Sequence, residues 1–326
     1  MPIAATATST ARAVNLKVEG LCKRFGSFVA VDDLALEVYE GEIFGFLGPN
    51  GAGKTTSINM MCGLLRPDAG QTLVYGRPSA GDDPEVRARV GMCPQNVVLW
   101  PRLTCIEQLE FVGQAYGVPR KTARRRAEAL LEVIGLADKR RWLARTLSGG
   151  MQRRLSIAMA LVHEPDIVVL DEPEAGLDPQ SRVLVREHIV ALARQQKKTV
   201  IVTTHNMDEA ERVADRVAII DHGRLLELDT PAGLKRRVGQ GDTLELVVSA
   251  ANRSLTTSER ERLAQAYPAA HVTADHIVLN ERAIVDRLPE ILDGVKQLGF
   301  GVASVQLRAS TLEDVFLSLT GRSLRE

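Results

Sequence analysis

Gly48-Pro49-Asn50-Gly51-Ala52-Gly53-Lys54-Thr55 fits the pattern G-x-x-x-x-G-K-[ST], and the fold can be worked outward from it. Glycines let the backbone curl tightly enough for its N–H groups to converge on phosphate oxygens. Lys54 then reaches the β- and γ-phosphates, and the Thr55 hydroxyl is placed to ligate Mg²⁺. The flanks agree. Residues 43–47 (Ile-Phe-Gly-Phe-Leu) read as a buried strand entering the loop, and residues 55–65 as a helix whose N-terminal dipole faces the phosphates. A chance glycine-rich turn lacks this strand–loop–helix setting, so the stretch predicts a nucleoside triphosphate site.

Ahead of the loop, short alternating runs at residues 15–18, 28–31 and 34–39 predict a small antiparallel sheet. Behind it, residues from about 100 to 160 are mostly helical; Ala127, Leu130, Leu131 and Ile134 form a stripe that Gly135 stops. Residues 167–170 are a continuous apolar strand, followed by a helix carrying Val185, Ile189 and Leu192, and by strands at 199–203 and 217–220. Strand and helix in alternation around a phosphate loop give a parallel α/β core. Past Gly239-Gln240-Gly241 the character changes. Leu244, Leu246 and Val248 alternate in a strand, and Ala303, Val305 and Leu307 in another. Leu288, Ile291, Leu292, Val295 and Leu298 stripe a helix with Pro289 in its first turn, and Ser310-Thr311-Leu312-Glu313 is a capping box for a last helix to about Leu319. This small α+β unit shows no catalytic constellation.

Composition bounds the class. The 326 residues suffice for one large domain and a small one, and 45% hydrophobic with 25% charged residues is ordinary for a globular protein. Lys+Arg and Asp+Glu are equal at 41 each, so no global field attracts nucleic acid. Arg124-Arg125-Arg126 and Lys139-Arg140-Arg141 are diluted by Glu128, Glu132 and Asp138 and read as solvated helix faces. Cys22, Cys62, Cys93 and Cys105 have no metal-like spacing and read as reduced. No apolar run approaches the ~18 residues of a spanning helix, and residues 1–14 read as a disordered tail rather than a signal peptide.

Two further motifs carry chemistry. Leu170-Asp171-Glu172-Pro173 ends an apolar strand, where Asp171 can hold Mg²⁺ through its water shell and Glu172 can accept a proton from water attacking the γ-phosphate. Alone, the pair is a strand end meeting solvent; beside the phosphate loop it is a catalytic candidate. Leu147-Ser148-Gly149-Gly150-Met151-Gln152 opens a helix with a second anion-binding turn. One γ-phosphate does not need two such sites in one chain, so a nucleotide sandwiched between Lys54 of one copy and Ser148 of another is the economical explanation. A plain glycine-rich helix cap is the alternative.

In this order and spacing the three motifs resemble those of the ATP-binding-cassette (ABC) ATPases, over residues 15–238. The resemblance implies a phosphate-loop, RecA-like α/β core with an antiparallel β subdomain and a helical subdomain at about 97–160, and leaves 239–326 as the α+β C-terminal domain. It implies ATP and Mg²⁺ as cofactors. Phe25 matches the aromatic that stacks on adenine, with Val31 beside it; Gly48 to Thr55, with Thr56, match the nucleotide loop. Gln95 matches the glutamine that contacts Mg²⁺ and the attacking water and senses the membrane partner. Asp178 matches the aspartate that crosses the dimer interface, with Ser148, Gly149 and Gly150, and His205 the switch histidine on the γ-phosphate. Lys54, Gln95, Glu172 and His205 form the implied catalytic set, and Thr55, Gln95 and Asp171 the metal set. One departure is visible: Glu174 stands where the family has a small hydroxyl residue, and this third carboxylate could raise a neighbouring pKa or alter dimer closure.

Residues 311–322 resemble the ending of ATPase subunits from drug-resistance and nodulation-factor exporters, in which a separate permease chain spans the membrane. The expectation is an ATP-hydrolysing subunit that dimerises on ATP and energises such a permease from the cytoplasmic face, with no nucleic-acid partner. An importer subunit is the nearer alternative and a soluble non-transport ATPase the farther one. The C-terminal domain is expected to stabilise or regulate dimers.

Overall fold

The computed structural model describes residues 12–81, 83–237, 241–249, 255–273, 275–281 and 284–320. Its contacts divide the chain into two units, Met1–Thr230 and Pro231–Glu326. The first opens with β1 (Val14–Phe25) and β2 (Phe28–Tyr39), so the two later apolar runs are one strand. Val31 and Leu34, three residues apart, are both buried because Asp33 takes a φ of 51° and resets the alternation. Strand β3 (Ile43–Leu47) is buried at every position and delivers the chain to helix α1 (Lys54–Met61). That helix stops short of residue 65 because Gly63 turns with a φ of 71°, and a Cβ there would lie 2.3 Å from the Ser79 carbonyl. Strands β4 (Ala69–Val74) and β5 (Arg77–Pro78) complete an antiparallel sheet of order β2-β1-β4-β5.

Helix α2 (Pro84–Ala88), capped by Asp83, leads into β6 (Val90–Cys93). Helices α3 (Cys105–Ala115), α4 (Arg120–Val133) and α5 (Gly149–Leu161) pack around their own core of Leu109, Ala127, Leu131, Leu155 and Ala158. The chain then runs through β7 (Ile167–Asp171), α6 (Pro179–Arg194), β8 (Thr199–Thr204), α7 (Met207–Val213), β9 (Arg216–Asp221) and β10 (Arg224–Asp229). Six strands form one sheet, β10-β9-β3-β8-β7-β6, parallel except for the β10 edge. Its register decides where the chemistry sits: Leu47 pairs with Thr204 and Asp171 with Thr203. The loops after β3, β7 and β8 therefore leave the same carboxyl edge.

The second unit contains α8 (Pro231–Arg237), β11 (Asp242–Ser249), α9 (Thr257–Ala266), β12 (Ala270–Val272), β13 (His276–Glu281), α10 (Ile284–Gln297), β14 (Gly301–Arg308) and α11 (Leu312–Thr320). Its antiparallel sheet has the order β12-β13-β11-β14. The division falls at 231 rather than 239 because α8 packs on α11 and buries Leu234 completely. Residues 1–11, Gly239 and Gln240 lie outside the described residues, while Val14 already belongs to β1. Two local expectations are corrected. Pro289 sits mid-helix rather than in a first turn, since α10 begins at Ile284, a fully buried residue two turns before Ile291 on the same stripe. The last helix is capped one residue later than Ser310 and Glu313 would set it. The Thr311 hydroxyl accepts from the Asp314 N–H, and the Asp314 carboxylate accepts from the Thr311 N–H at 2.8 Å.

Candidate functional site

At the carboxyl edge of the parallel strands the phosphate loop is held by steric necessity. A Cβ on Gly48 would meet the Ile220 carbonyl at 2.4 Å. Gly53 has a φ of 98°, and a Cβ there would stand 2.3 Å from the Ala30 carbonyl. Gly53 also offers α1 no side-chain cap, so the helix's first N–H groups remain directed at the loop's concavity. Lys54 is only 5% exposed; its Nζ donates to the carbonyls of Gly48 (2.8 Å) and Pro49 (3.1 Å) and lies 3.4 Å from Glu172 Oε1. Burial pulls the Lys54 pKa down, and the Glu172 carboxylate opposes that.

Asp171 is buried and tied down by hydroxyls. Thr55 Oγ1 donates to its Oδ2 at 3.0 Å, and Thr203 Oγ1 donates to its Oδ1. Glu172 follows with a φ of 46°, left-handed backbone that a residue of this kind rarely adopts. Its N–H is fixed by Thr203 Oγ1 at 2.8 Å. The carboxylate so aimed is a hub: Oε1 lies 3.3 Å from His205 Nδ1 as well as beside Lys54, and Oε2 accepts from Gln95 Nε2 at 3.2 Å. Lys54, Gln95, Glu172 and His205 are thus brought together from four separate loops.

Ser148 caps α5, its Oγ accepting from Met151 N–H at 3.3 Å, and shares no described hydrogen bond with the Lys54 loop. Gly150 packs against the turn before α6, where a Cβ would stand 2.9 Å from Ser181 Oγ. Asp178 caps α6 through the Ser181 N–H (3.0 Å) and hydroxyl (2.7 Å), bonds that lower its pKa. Phe25 is 52% exposed at the tip of β1. Val31, expected beside it, is fully buried in the strand core; its position in β2 points inward, and no surface remains for a base. The exposed neighbour is Phe28, paired across the hairpin from Phe25.

Glu174 is the residue that departs from the family pattern. It lines a cavity of about 180 Å³ together with Arg182, His205, Asn206 and Glu209, behind the Glu172 turn. Burial, and then the Glu209 carboxylate, push the Glu174 pKa up to about 7. Arg186 holds Glu209 in an ion pair within the same neighbourhood.

Two further residues, not among the motif positions, hold the site together. Arg153, 2% exposed, donates to the carbonyls of Pro94, Gln95, Asp171 and Pro173, tying α5 to the Gln95 loop and the Glu172 turn. Its signal was a cation on the inward stripe it shares with Ser156, Ile157 and Ala160. Thr203 has no such signal, because a threonine in an apolar strand reads as filler.

A family model described as ABC transporter matches residues 31–175. The linearmycin resistance ATP-binding protein of Bacillus subtilis (strain 168) is 35% identical over 321 residues, covering 95% of this chain and 100% of the relative. The chain belongs to the ABC transporter ATP-binding subunits. The Nod factor export ATP-binding protein I of Ralstonia nicotianae is similar at 39% identity over 313 residues, covering 95% of both chains. The daunorubicin/doxorubicin resistance ATP-binding protein of Streptomyces peucetius matches at 38% over 312 residues, covering 94% of this chain and 92% of the relative. A solved ATP-binding subunit of an ABC transporter superposes with a TM-score of 0.64 at 28% identity, covering 70% of this chain and 94% of that one. The dimeric bacterial cassette MJ0796 does so with a TM-score of 0.62 at 27% identity, covering 66% and 98%. The expected fold is therefore the one present, and the protein is an ATP-binding, ATP-hydrolysing subunit.

Proposed function

We propose that this ATPase drives export through a separate permease chain, as one of two cassettes that close on ATP at the cytoplasmic face of the membrane. Export is supported by the relatives, which are resistance and Nod factor export subunits by name. The observation that carries the coupling is an exposed apolar patch beside the catalytic centre. Val97, Val98, Trp100, Phe111 and Tyr116 are each between 37% and 61% exposed, and the patch begins two residues after Gln95, which holds Glu172. Exposed apolar clusters of this kind mark partner surfaces. No helix among the described residues is long and apolar enough to cross a membrane; in this reading the permease carries the spanning segments.

Within the site, Lys54 and the α1 N-terminus bind the phosphates, and Glu172 takes the proton from the attacking water. Gln95 and His205, both in contact with that carboxylate, hold it and the water in line. The Thr55 hydroxyl, the Asp171 carboxylate and the Gln95 amide are hard oxygen donors that suit Mg²⁺. Among the described residues no group of three or more His, Cys, Asp or Glu is arranged to hold a metal ion by itself. Bound there, Mg²⁺ neutralises charge developing on the phosphates. Ser148, Gly149 and Gly150 of a second copy, with Asp178 at the joint, close the nucleotide from the other side; that two cassettes pair is supported by the dimeric relative.

The test is purification of the tagged chain from gently solubilised membranes. A multi-span membrane protein should co-purify with the wild type and be lost with Val98→Glu or Phe111→Glu, while the ATPase remains active. Recovery of no membrane-spanning partner, or of one indifferent to both substitutions, defeats the proposal.

A further inference from the structure

The chain's net charge of zero hides a segregation. Residues 97–160 contain twelve Lys and Arg against five Asp and Glu, so the helical part of the first unit is strongly cationic and the remainder compensates. Within it, Lys139-Arg140-Arg141 does not lie on a helix face. The segment leaves a single 3-10 turn, Ala137–Lys139, and runs as a loop clamped to the start of α3. Ile106 N–H donates to the Arg140 carbonyl (3.0 Å), Cys105 N–H to the Trp142 carbonyl (3.1 Å), and Ala144 N–H to the Leu103 carbonyl (3.1 Å). The bridge between Thr104 and Leu143 brings Arg102 alongside.

The result is a fixed rim carrying Arg102, Lys139, Arg140, Arg141 and Arg145, none of which forms an ion pair among the described residues. Asp138 is the one carboxylate within residues 137–145, and the nearby Glu107 is occupied by the N–H and hydroxyl of Thr104. Trp142 stands in the middle, 48% exposed, with the Lys139 ammonium 4.7 Å from its ring centre. The chain has only two tryptophans, and the other, Trp100, is exposed on the same subdomain, linked to the rim through the Leu103 N–H. An exposed indole amid unpaired cations matches the chemistry of a phospholipid headgroup layer. There the ring takes the interfacial position and the cations take lipid phosphates.

We propose that residues 139–145, with Arg102, form a contact site for an anionic phospholipid surface, seating this subdomain on the membrane beside the permease. The proposal rests on the reading that the ATPase works at the membrane, but it needs no permease and is tested without one. The full-length chain carrying Trp100→Phe, so that Trp142 alone reports, is mixed with vesicles of phosphatidylcholine, with or without phosphatidylglycerol. Flotation and a blue shift of Trp142 emission are expected only with phosphatidylglycerol. Salt near 1 M, where screening shortens to about 3 Å, should release the protein. Each surface-near cation contributes about fivefold in partitioning, so Arg140→Ser with Arg141→Ser should weaken binding roughly 30-fold. Lys at both positions should restore it, and all variants should hydrolyse ATP at the wild-type rate, which certifies folding. Trp142→Ala should reduce binding without changing its salt dependence. Absence of phosphatidylglycerol-dependent flotation, or flotation indifferent to the double Ser variant, overturns the proposal. RNA binding that follows the same substitutions while vesicles are ignored also overturns it, in favour of a nucleic-acid surface. A permease that still co-purifies after either failure leaves the transporter reading standing alone.

Discussion

Glu172→Gln removes one charge and almost no volume from the centre of the site, and its consequences can be worked from three distances. The carboxylate lies 3.4 Å from Lys54, 3.3 Å from His205 and 3.2 Å from Gln95. The amide retains hydrogen-bonding reach but cannot accept the proton of the attacking water, so hydrolysis should slow by about 10²–10⁴-fold. It also strips the buried Lys54 of its counter-charge. Breaking a buried pair costs about 3–5 kcal/mol, but Lys54 keeps the Gly48 and Pro49 carbonyls, so about 2 kcal/mol is the reasonable share. In a domain of this size that lowers the melting temperature by roughly 4–8 °C without nucleotide. Mg-ATP should restore it, because phosphate supplies the missing negative charge. With turnover blocked, the variant should accumulate as an ATP-dependent dimer, read by size-exclusion chromatography with light scattering. Glu174→Gln is the control and should change the rate only modestly. A Glu172→Gln protein hydrolysing within about tenfold of wild type would refute the assignment of the base. A dimer trapped by Glu174→Gln instead would place the base on that carboxylate.

Three further outcomes are expected. Glu174, pushed up to about 7 from 4.5, binds its proton more tightly in the folded protein, so its contribution is favourable at low pH and lost as pH rises between those values. Discounted for partial exposure, Glu174→Gln should therefore stabilise by about 1 kcal/mol at pH 8 and by nothing at pH 4, as read by thermal melts. Gly53→Ala meets both a left-handed φ and the Ala30 carbonyl, and titration with fluorescent ATP should show affinity falling at least about tenfold. Arg153→Leu strands four carbonyls near the catalytic turn, and denaturant unfolding should show a loss of about 3 kcal/mol.

What the sequence determined by itself is what is contiguous along the chain. The phosphate loop, the acidic strand end and the Ser148 turn each place their chemistry within a few residues, where glycine conformations and strand–helix alternation speak locally. Tertiary structure decided whatever depends on which residues meet across the sheet. Parallel register puts the loops after Leu47, Asp171 and Thr204 on one edge, and so lets Lys54 and His205 share the Glu172 carboxylate. The fold also buries Val31, turns Thr203 into a clamp, and starts the second unit at Pro231, where α8 packs on α11 and Leu234 is fully buried. The same holds for Lys139-Arg140-Arg141. Read along the chain the run is diluted by acids, but backbone pairing to residues 103–106 removes it from the helix and brings Arg102 to it. Charge along a chain is a sum, whereas the field at a surface depends on distance, and only the fold sets the distances.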